Sequence, residues 1–178
     1  MSSFSSDSSG DGSSIFDVRS SVFVNNTGVN PASSSSSDCC AGAIDIRASS
    51  NSSISIVWSE FFSNTATGSG GAVSVSSGDT LDISDSIFTN NTSMDLGGAV
   101  SSFGNGAPSI QNSSFTENTA SDEGGAVYVE IGETLDIRDS IFTNNSAISQ
   151  GGAIFTESNG APTIQNCNFT DNTSSDAG

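Results

Sequence analysis

The side chains best suited to chemistry in this chain are carboxylates. Asp82 and Asp85 stand three residues apart, and Asp136 and Asp139 repeat the arrangement. Paired carboxylates are the working groups of glycoside hydrolysis, one as general acid and the other as base or nucleophile. Elimination from a uronate would ask instead for a His, Tyr, Lys or Arg base beside a neutralised carboxylate. The chain has no His and no Lys, a single Tyr (Tyr128) and three Arg (Arg19, Arg47, Arg138). Arg19 and Arg138 fall in one column of the repeat developed below, but four coils apart, on the order of 19 Å at ordinary strand spacing. No basic pair can embrace a sugar polyanion. The carboxylate pairs also recur with the repeat, whereas catalytic groups break repeat symmetry. The expectation is that the chain is not an enzyme.

Binding chemistry is bounded by charge. Twenty acidic residues against three basic ones give a net charge of −17. Nucleic acid and anionic membranes both need Lys or Arg against phosphate, so neither is an expected partner. No 18-residue apolar run exists, which argues against membrane insertion. Carboxylates flanked by Asn and Ser offer hard oxygen ligands of the kind calcium takes. The Gly-Gly-x-Gly-x-Asp nonapeptide and the EF-hand loop are both missing, however. The expectation is no cofactor and no metal site, with weak surface Ca²⁺ at most.

The elements that position these residues come from a repeat. Gly-Gly-Ala recurs at Gly70, Gly97, Gly124 and Gly151, 27 residues apart each time, with Ala41-Gly42-Ala43 as a degenerate copy. Phe-x-x-Asn recurs at Phe23, Phe61, Phe88, Phe115, Phe142 and Phe169; the last five are spaced by 27 and the first interval is 38. The excess is assigned to a Ser-rich loop at 28–40 inserted between two coils. Residues 1–15 form a Ser-rich segment that could cap the first coil or stay disordered, and 16–178 the repeat domain.

Aligned coils give columns. Val18, Ile56, Ile83, Ile110, Ile137 and Ile164 form one, the six Phe a second, and Val73, Val100, Val127 and Ile154 a third. Apolar sites within a coil lie two apart, the period of strands. Asn51, Gly78, Asn105, Gly132 and Asn159 form a column of residues that accept left-handed backbone, hence a turn. Each unit is read as three strands, roughly 72–75, 81–84 and 87–90, stacked in parallel on the next unit. The fold class is therefore all-β, a right-handed parallel β-helix (solenoid) of about six coils.

Two polar columns refine the period. One runs Asp17, Ser55, Asp82, Ser109, Asp136, Thr163, and the other Asp85, Asn112, Asp139, Asn166. Stacked carboxylates about 4.8 Å apart would repel, and alternation with a neutral residue doubles that distance. The true unit is thus a 54-residue double repeat. Asn26, Asn64, Asn91, Asn118, Asn145 and Asn172 form an unbroken Asn column, read as a buried amide ladder.

Gly-Gly-Ala-(Val/Ile) paired with Phe-x-x-Asn, as at Gly151–Ile154 and Phe169–Asn172, resembles the repeats of the chlamydial polymorphic outer membrane protein family. The resemblance implies a pectin-lyase-like β-helix used as an adhesive surface passenger. The N-terminus, Met1-Ser2-Ser3-Phe4, lacks the basic and apolar regions of a signal peptide, and no C-terminal barrel is present, so autotransport is not implied.

Several readings complete the expectation. Cys167 replaces a small inward Ser, and Cys39 and Cys40 sit in the inserted loop, too far away for a disulfide with it. Of eight Asn-x-Ser/Thr sequons, Asn25, Asn51, Asn90, Asn112 and Asn144 are glycosylation candidates, while Asn91 and Asn172 belong to the ladder. The expected function is a structural or adhesive β-helical module of an extracellular surface or filament protein. Its partner would be another copy, or a continuation of the chain, through the coil ends. The alternative is a non-catalytic carbohydrate- or ice-binding solenoid. Phe155, Tyr128 and Trp58 are its available aromatics, and no flat Thr-x-Thr array repeats.

Overall fold

A computed structural model describes residues 7–8, 14–29, 40–47, 52–76, 80–104, 106–130, 134–157 and 161–176. Each coil contains four strands, one more than the sequence reading gave. The coil that starts at Thr80 runs Thr80–Ser84, Ile87–Thr89, Thr92–Ser93 and Val100–Phe103. The added strand, Thr92–Ser93, has only two residues, too short for any periodicity to show. Equivalent strands pair in parallel and build four sheets, here called A to D in that order. Sheets B and C are six strands deep and sheet D five. Sheet A has the same six parallel strands plus Asp7–Ser8, which pairs antiparallel with the first of them, Ser14–Arg19. The chain thus completes five full turns and three sheets of a sixth.

The register follows the repeat residue for residue. Ile83 pairs with Ile56 and Ile110, Phe88 with Phe61 and Phe115, and Val100 with Val73 and Val127. These columns fill the axis of the coil and are buried almost completely. The six Phe rings stack with centroids 4.6 to 4.9 Å apart and planes within 6° of parallel. That spacing is the strand spacing of a sheet, so backbone pairing sets the ring separation.

Gly-Gly-Ala has a distinct reason at each position. Gly70, Gly97, Gly124 and Gly151 have φ of +63 to +73°, in the left-handed region where a Cβ is costly. Gly98 has ordinary φ, but a Cβ there would lie 2.1 Å from the carbonyl oxygen of Gly125 and 2.6 Å from the amide of Thr119. Successive coils touch backbone to backbone at this column. The Ala that follows is fully buried, as at Ala72, Ala99 and Ala126. Ala41 can replace the first Gly of its coil, whereas Gly42 keeps the second, with 2.1 Å to the oxygen of Gly71.

Two corners carry left-handed residues that are not glycine. Between sheets A and B they are Ser20, Trp58, Asp85, Asn112, Asp139 and Asn166; between B and C, Asn25, Ser63, Asn90, Glu117, Asn144 and Asp171. The sequence reading placed its left-handed turn at Asn51, Gly78, Asn105, Gly132 and Asn159, all outside the described residues. Of the inserted loop, Gly28 closes a strand of sheet C, and 30–39 lie outside the described residues. Residues 1–6 and 9–13 lie outside them as well.

Candidate functional site

At the B–C corner each chain turn leaves an Asn pointing inward. The Oδ1 of Asn118 accepts from the backbone amide and the Nδ2 of Asn91, both at 3.0 Å. Its own Nδ2 donates to Asn145 Oδ1 and to the carbonyl of Phe88, and its backbone amide also donates to Asn145 Oδ1. Asn26, Asn64, Asn91, Asn145 and Asn172 take part in the same chain of bonds. Asn64, Asn91, Asn118 and Asn145 have no solvent exposure. Between Asn64 and Asn145 the ladder is therefore a continuous run of buried amides whose bonds are made to one another and to the Phe carbonyls. A parallel, weaker ladder runs through the inward Ser at the A–B corner: the amides of Ser59, Ser86 and Ser113 donate to the Oγ of the next Ser at 3.1 Å. Cys167 continues that column, and its Sγ–H points to the carbonyls of Gln165 and Ile137.

Three of the four carboxylates that could do chemistry, Asp85, Asp136 and Asp139, are bound to neighbouring side chains. Asp85 accepts from Asn112 Nδ2, and Asp139 from Asn166 Nδ2 at 3.1 Å. Asp17, Asp45 and Asp136 pair with Arg19, Arg47 and Arg138, each two residues on, with N···O distances of 2.6 to 2.9 Å. The Asp-x-Arg spacing is the strand period, which puts both side chains on the same outward face. The spacing is legible in the sequence. Asp82, Ser109 and Asp136 stack in register as the alternation requires.

Sheet D holds a second acidic group. Its outward column runs Asp45, Ser74, Ser101, Tyr128, Phe155. Tyr128 is 3% exposed, which corrects its reading as an available surface aromatic. Phe103 and Phe155 flank the ring at centroid distances of 5.5 and 6.0 Å. Its hydroxyl donates to Glu157 Oε1 at 3.1 Å. Burial, then the charges of Glu157, Glu130 and Glu123, hold that hydroxyl well above its ordinary pKa, so Tyr128 is ill suited to act as a base. Glu123 is also pushed up, chiefly by burial and then by Asp122, Glu157 and Asp95. Among the described residues no group of three or more His, Cys, Asp or Glu is arranged to hold a metal ion.

The sequon residues Asn25, Asn90, Asn112 and Asn144 are all exposed at left-handed corners; the Nδ2 of Asn90 donates to Ser63 Oγ at 3.0 Å and that of Asn112 to Asp85. Asn51 lies outside the described residues. Outward Thr columns do exist, Thr89, Thr116, Thr143 and Thr170 on sheet B and Thr65, Thr92 and Thr119 on sheet C. They stand on two sheets separated by the left-handed corner. Among the described residues no helix is long and apolar enough to cross a membrane.

The largest departure from uniform burial is the last coil. Ile164 and Phe169 are 48% and 43% exposed, while Ile137 and Phe142 directly beneath them are at 0%. They line an open apolar hollow of 440 Å³ with Leu135, Ala153, Ile154 and Asn172. At the other end Val18, Phe23, Ile44 and Ile46 are 2 to 7% exposed. The fold, the 27-residue register and the inward columns agree with the family described as "Right handed beta helix region", whose pattern matches residues 11–177. The chain belongs to the right-handed β-helix family. Membership fixes the architecture and leaves activity to the sites on it. A search of curated proteins and a search of solved structures each returned no match. Nothing in these findings is specific to the chlamydial surface proteins that the repeats resemble.

Proposed function

We propose that this β-helix is a structural or adhesive module of an extracellular or cell-surface protein, built to accept a further coil on its exposed end. The observation that carries the reading is the chemistry of that end. It offers Ile164, Phe169 and Asn172, the same three columns that seal every coil against the next inside the chain. Within the chain each such contact buries an Ile, a Phe ring and an amide pair, and pairs four strands. At the last described coil these groups stack on the coil beneath, and no further coil covers their other side among the described residues, where the edges of four short strands are open to pairing. A coil with Phe and Asn in register, from a neighbouring copy or from further chain, satisfies all of them at once. The two ends are not equivalent, because the inner columns of the first coil are already buried and Asp7–Ser8 edges sheet A. Copies joined end to end must displace that strand. Surface carboxylates held by Asn and Arg keep the module soluble and outwardly acidic, and no catalysis is assigned to them.

Light scattering and electron microscopy over a range of protein concentration and salt test the reading. Coaxial rods that lengthen with concentration, and more readily as salt screens the −17 charge, are the expected result. Compact monomers under every condition would remove self-stacking. Failure of a synthetic 27-residue coil peptide to bind would then remove the coil-accepting end altogether.

A further inference from the structure

We infer that the outer face of sheet B at the first three coils is a docking surface for a basic polypeptide segment that also presents apolar side chains. The inference is independent of the coil end. Trp58 and Phe62 break the repeat where the surface otherwise follows it. The left-handed corner before sheet B holds Ser, Asp or Asn in five coils and Trp58 in the second, with φ of +50° and 62% exposure. A bulky side chain in that region is a backbone outlier, and its persistence points to use rather than folding. The outward position held by Thr in the last four coils is Phe62, 47% exposed. Around them stand Val22 and Val24 of the first coil and Ile87 of the third, 46 to 64% exposed. Singly exposed apolar residues are ordinary; four on adjoining strands of one sheet, with Trp58 at the corner that leads into it, are a patch.

Charge selects the occupant. Glu60 is exposed between Val22 and Ile87 on the same column, and Asp85 follows Trp58 at the corner. Arg19, the nearest basic residue along the chain, is bound to Asp17 at 2.6 Å. A second copy, itself at −17, would bring carboxylate against carboxylate, and an anionic membrane would be repelled. A Lys or Arg is favoured twice, by the face of Trp58 and by the carboxylate of Glu60. Three of the five apolar side chains are aliphatic and offer neither stacking nor hydrogen bonds, so they suit apolar side chains better than sugar hydroxyls.

The test exploits the repeat itself. Trp58→Asn and Phe62→Thr restore the residues of other coils, so both variants should fold with an equal or higher thermal midpoint. The probe is a fluorescein-labelled alternating Lys-Leu decapeptide, followed by anisotropy with the full chain. Binding should be saturable and weakened about tenfold or more in each variant, and Glu60→Gln should weaken it less and reduce its salt dependence. Oligolysine and a Glu-Leu decapeptide should bind at least tenfold more weakly than the Lys-Leu peptide. The only tryptophan of the chain is Trp58, so its emission should shift to the blue on binding. Equal binding by both variants, equal binding of oligolysine, or a Trp58 response to neutral oligosaccharides but not to the peptide would each overturn the proposal.

Discussion

Replacing Phe115 by Ala removes one ring from the middle of the Phe stack. Phe115 has no solvent exposure and lies between Phe88 at 4.7 Å and Phe142 at 4.9 Å. Its backbone is paired on both sides, to Ile87–Thr89 and to Ile141–Thr143. The coils above and below are therefore held at strand spacing and cannot collapse into the vacated volume. Buried Phe→Ala costs about 3–5 kcal/mol, and a site that cannot relax belongs at the upper end. The lost contacts with both neighbouring rings act in the same direction. Phe169, the same residue in the last coil, is 43% exposed and stacked on one side only. Its truncation should cost about half as much or less, since both the area returned to water and the cavity shrink. Urea unfolding followed by circular dichroism of Phe115→Ala, Phe169→Ala and the surface control Thr116→Ala would rank them. The expected order is a large loss, a smaller one and a change within about 0.5 kcal/mol. Equal losses for Phe115 and Phe169, or a loss below 1 kcal/mol for Phe115, would refute the stacked-column argument.

Other perturbations follow from the same register. Ser109→Asp places a carboxylate between Asp82 and Asp136 and should lower stability by about 0.5–1 kcal/mol at low salt, with the loss shrinking in high salt; an effect indifferent to salt would point to shape rather than charge. Gly98→Ala should unfold more readily than Ala→Gly changes elsewhere, because its Cβ would meet the Gly125 oxygen at 2.1 Å; an unchanged midpoint would show that the coils can part there. Asn118→Ala strands the buried amide and Nδ2 of Asn91, a cost of about 1–3 kcal/mol for each group, read by the same urea series. Glu123, with its pKa raised by burial and by Asp122, Glu157 and Asp95, favours the fold when protonated. That contribution is full below its unfolded pKa and is lost as pH rises through the higher folded value. Glu123→Gln should therefore raise the thermal midpoint at neutral pH and lose that advantage in acid.

The architecture was legible because a solenoid writes each packing requirement once per coil. A period of 27 residues and the Ile, Phe, Val and Asn columns located the inward side chains of sheets A, B and D and of the B–C corner, but not the buried Ala66, Ser93, Ala120 and Ala147 of sheet C. What the sequence could not display was anything shorter than its own period. Thr92–Ser93 has two residues and no alternation. The two left-handed corners hold Ser, Asp, Asn, Glu and Trp, a mixture that the search for a Gly/Asn column passes over. Tyr128 alternates like an outward residue and is one. Phe103 and Phe155 flank its ring, an arrangement that no strand pattern encodes. Phe62 was missed because it follows Phe61, and the stack drew attention to the first ring only.

The alternation between coils can now be assigned to particular atoms. At the A–B corner Asn112 Nδ2 bonds Asp85 and Asn166 Nδ2 bonds Asp139. Each Asn therefore neutralises the dipolar demand of the Asp in the preceding coil while keeping the next Asp two strands away. At the center of sheet A the same spacing is kept by Ser109 between Asp82 and Asp136, and there Arg138 supplies the counter-charge from the same strand. Two different devices thus keep carboxylates apart on sheet A and at the A–B corner. The rule does not extend to the turn before sheet D or to its end, where Asp95 and Asp122, and Glu130 and Glu157, stand one repeat apart in neighbouring coils. There the crowding shows as the raised pKa values of Glu123 and Tyr128. Trp58 stands outside the rule, since it places no charge on its rung, and the Asp85 carboxylate that follows it has a neutral neighbour on either side.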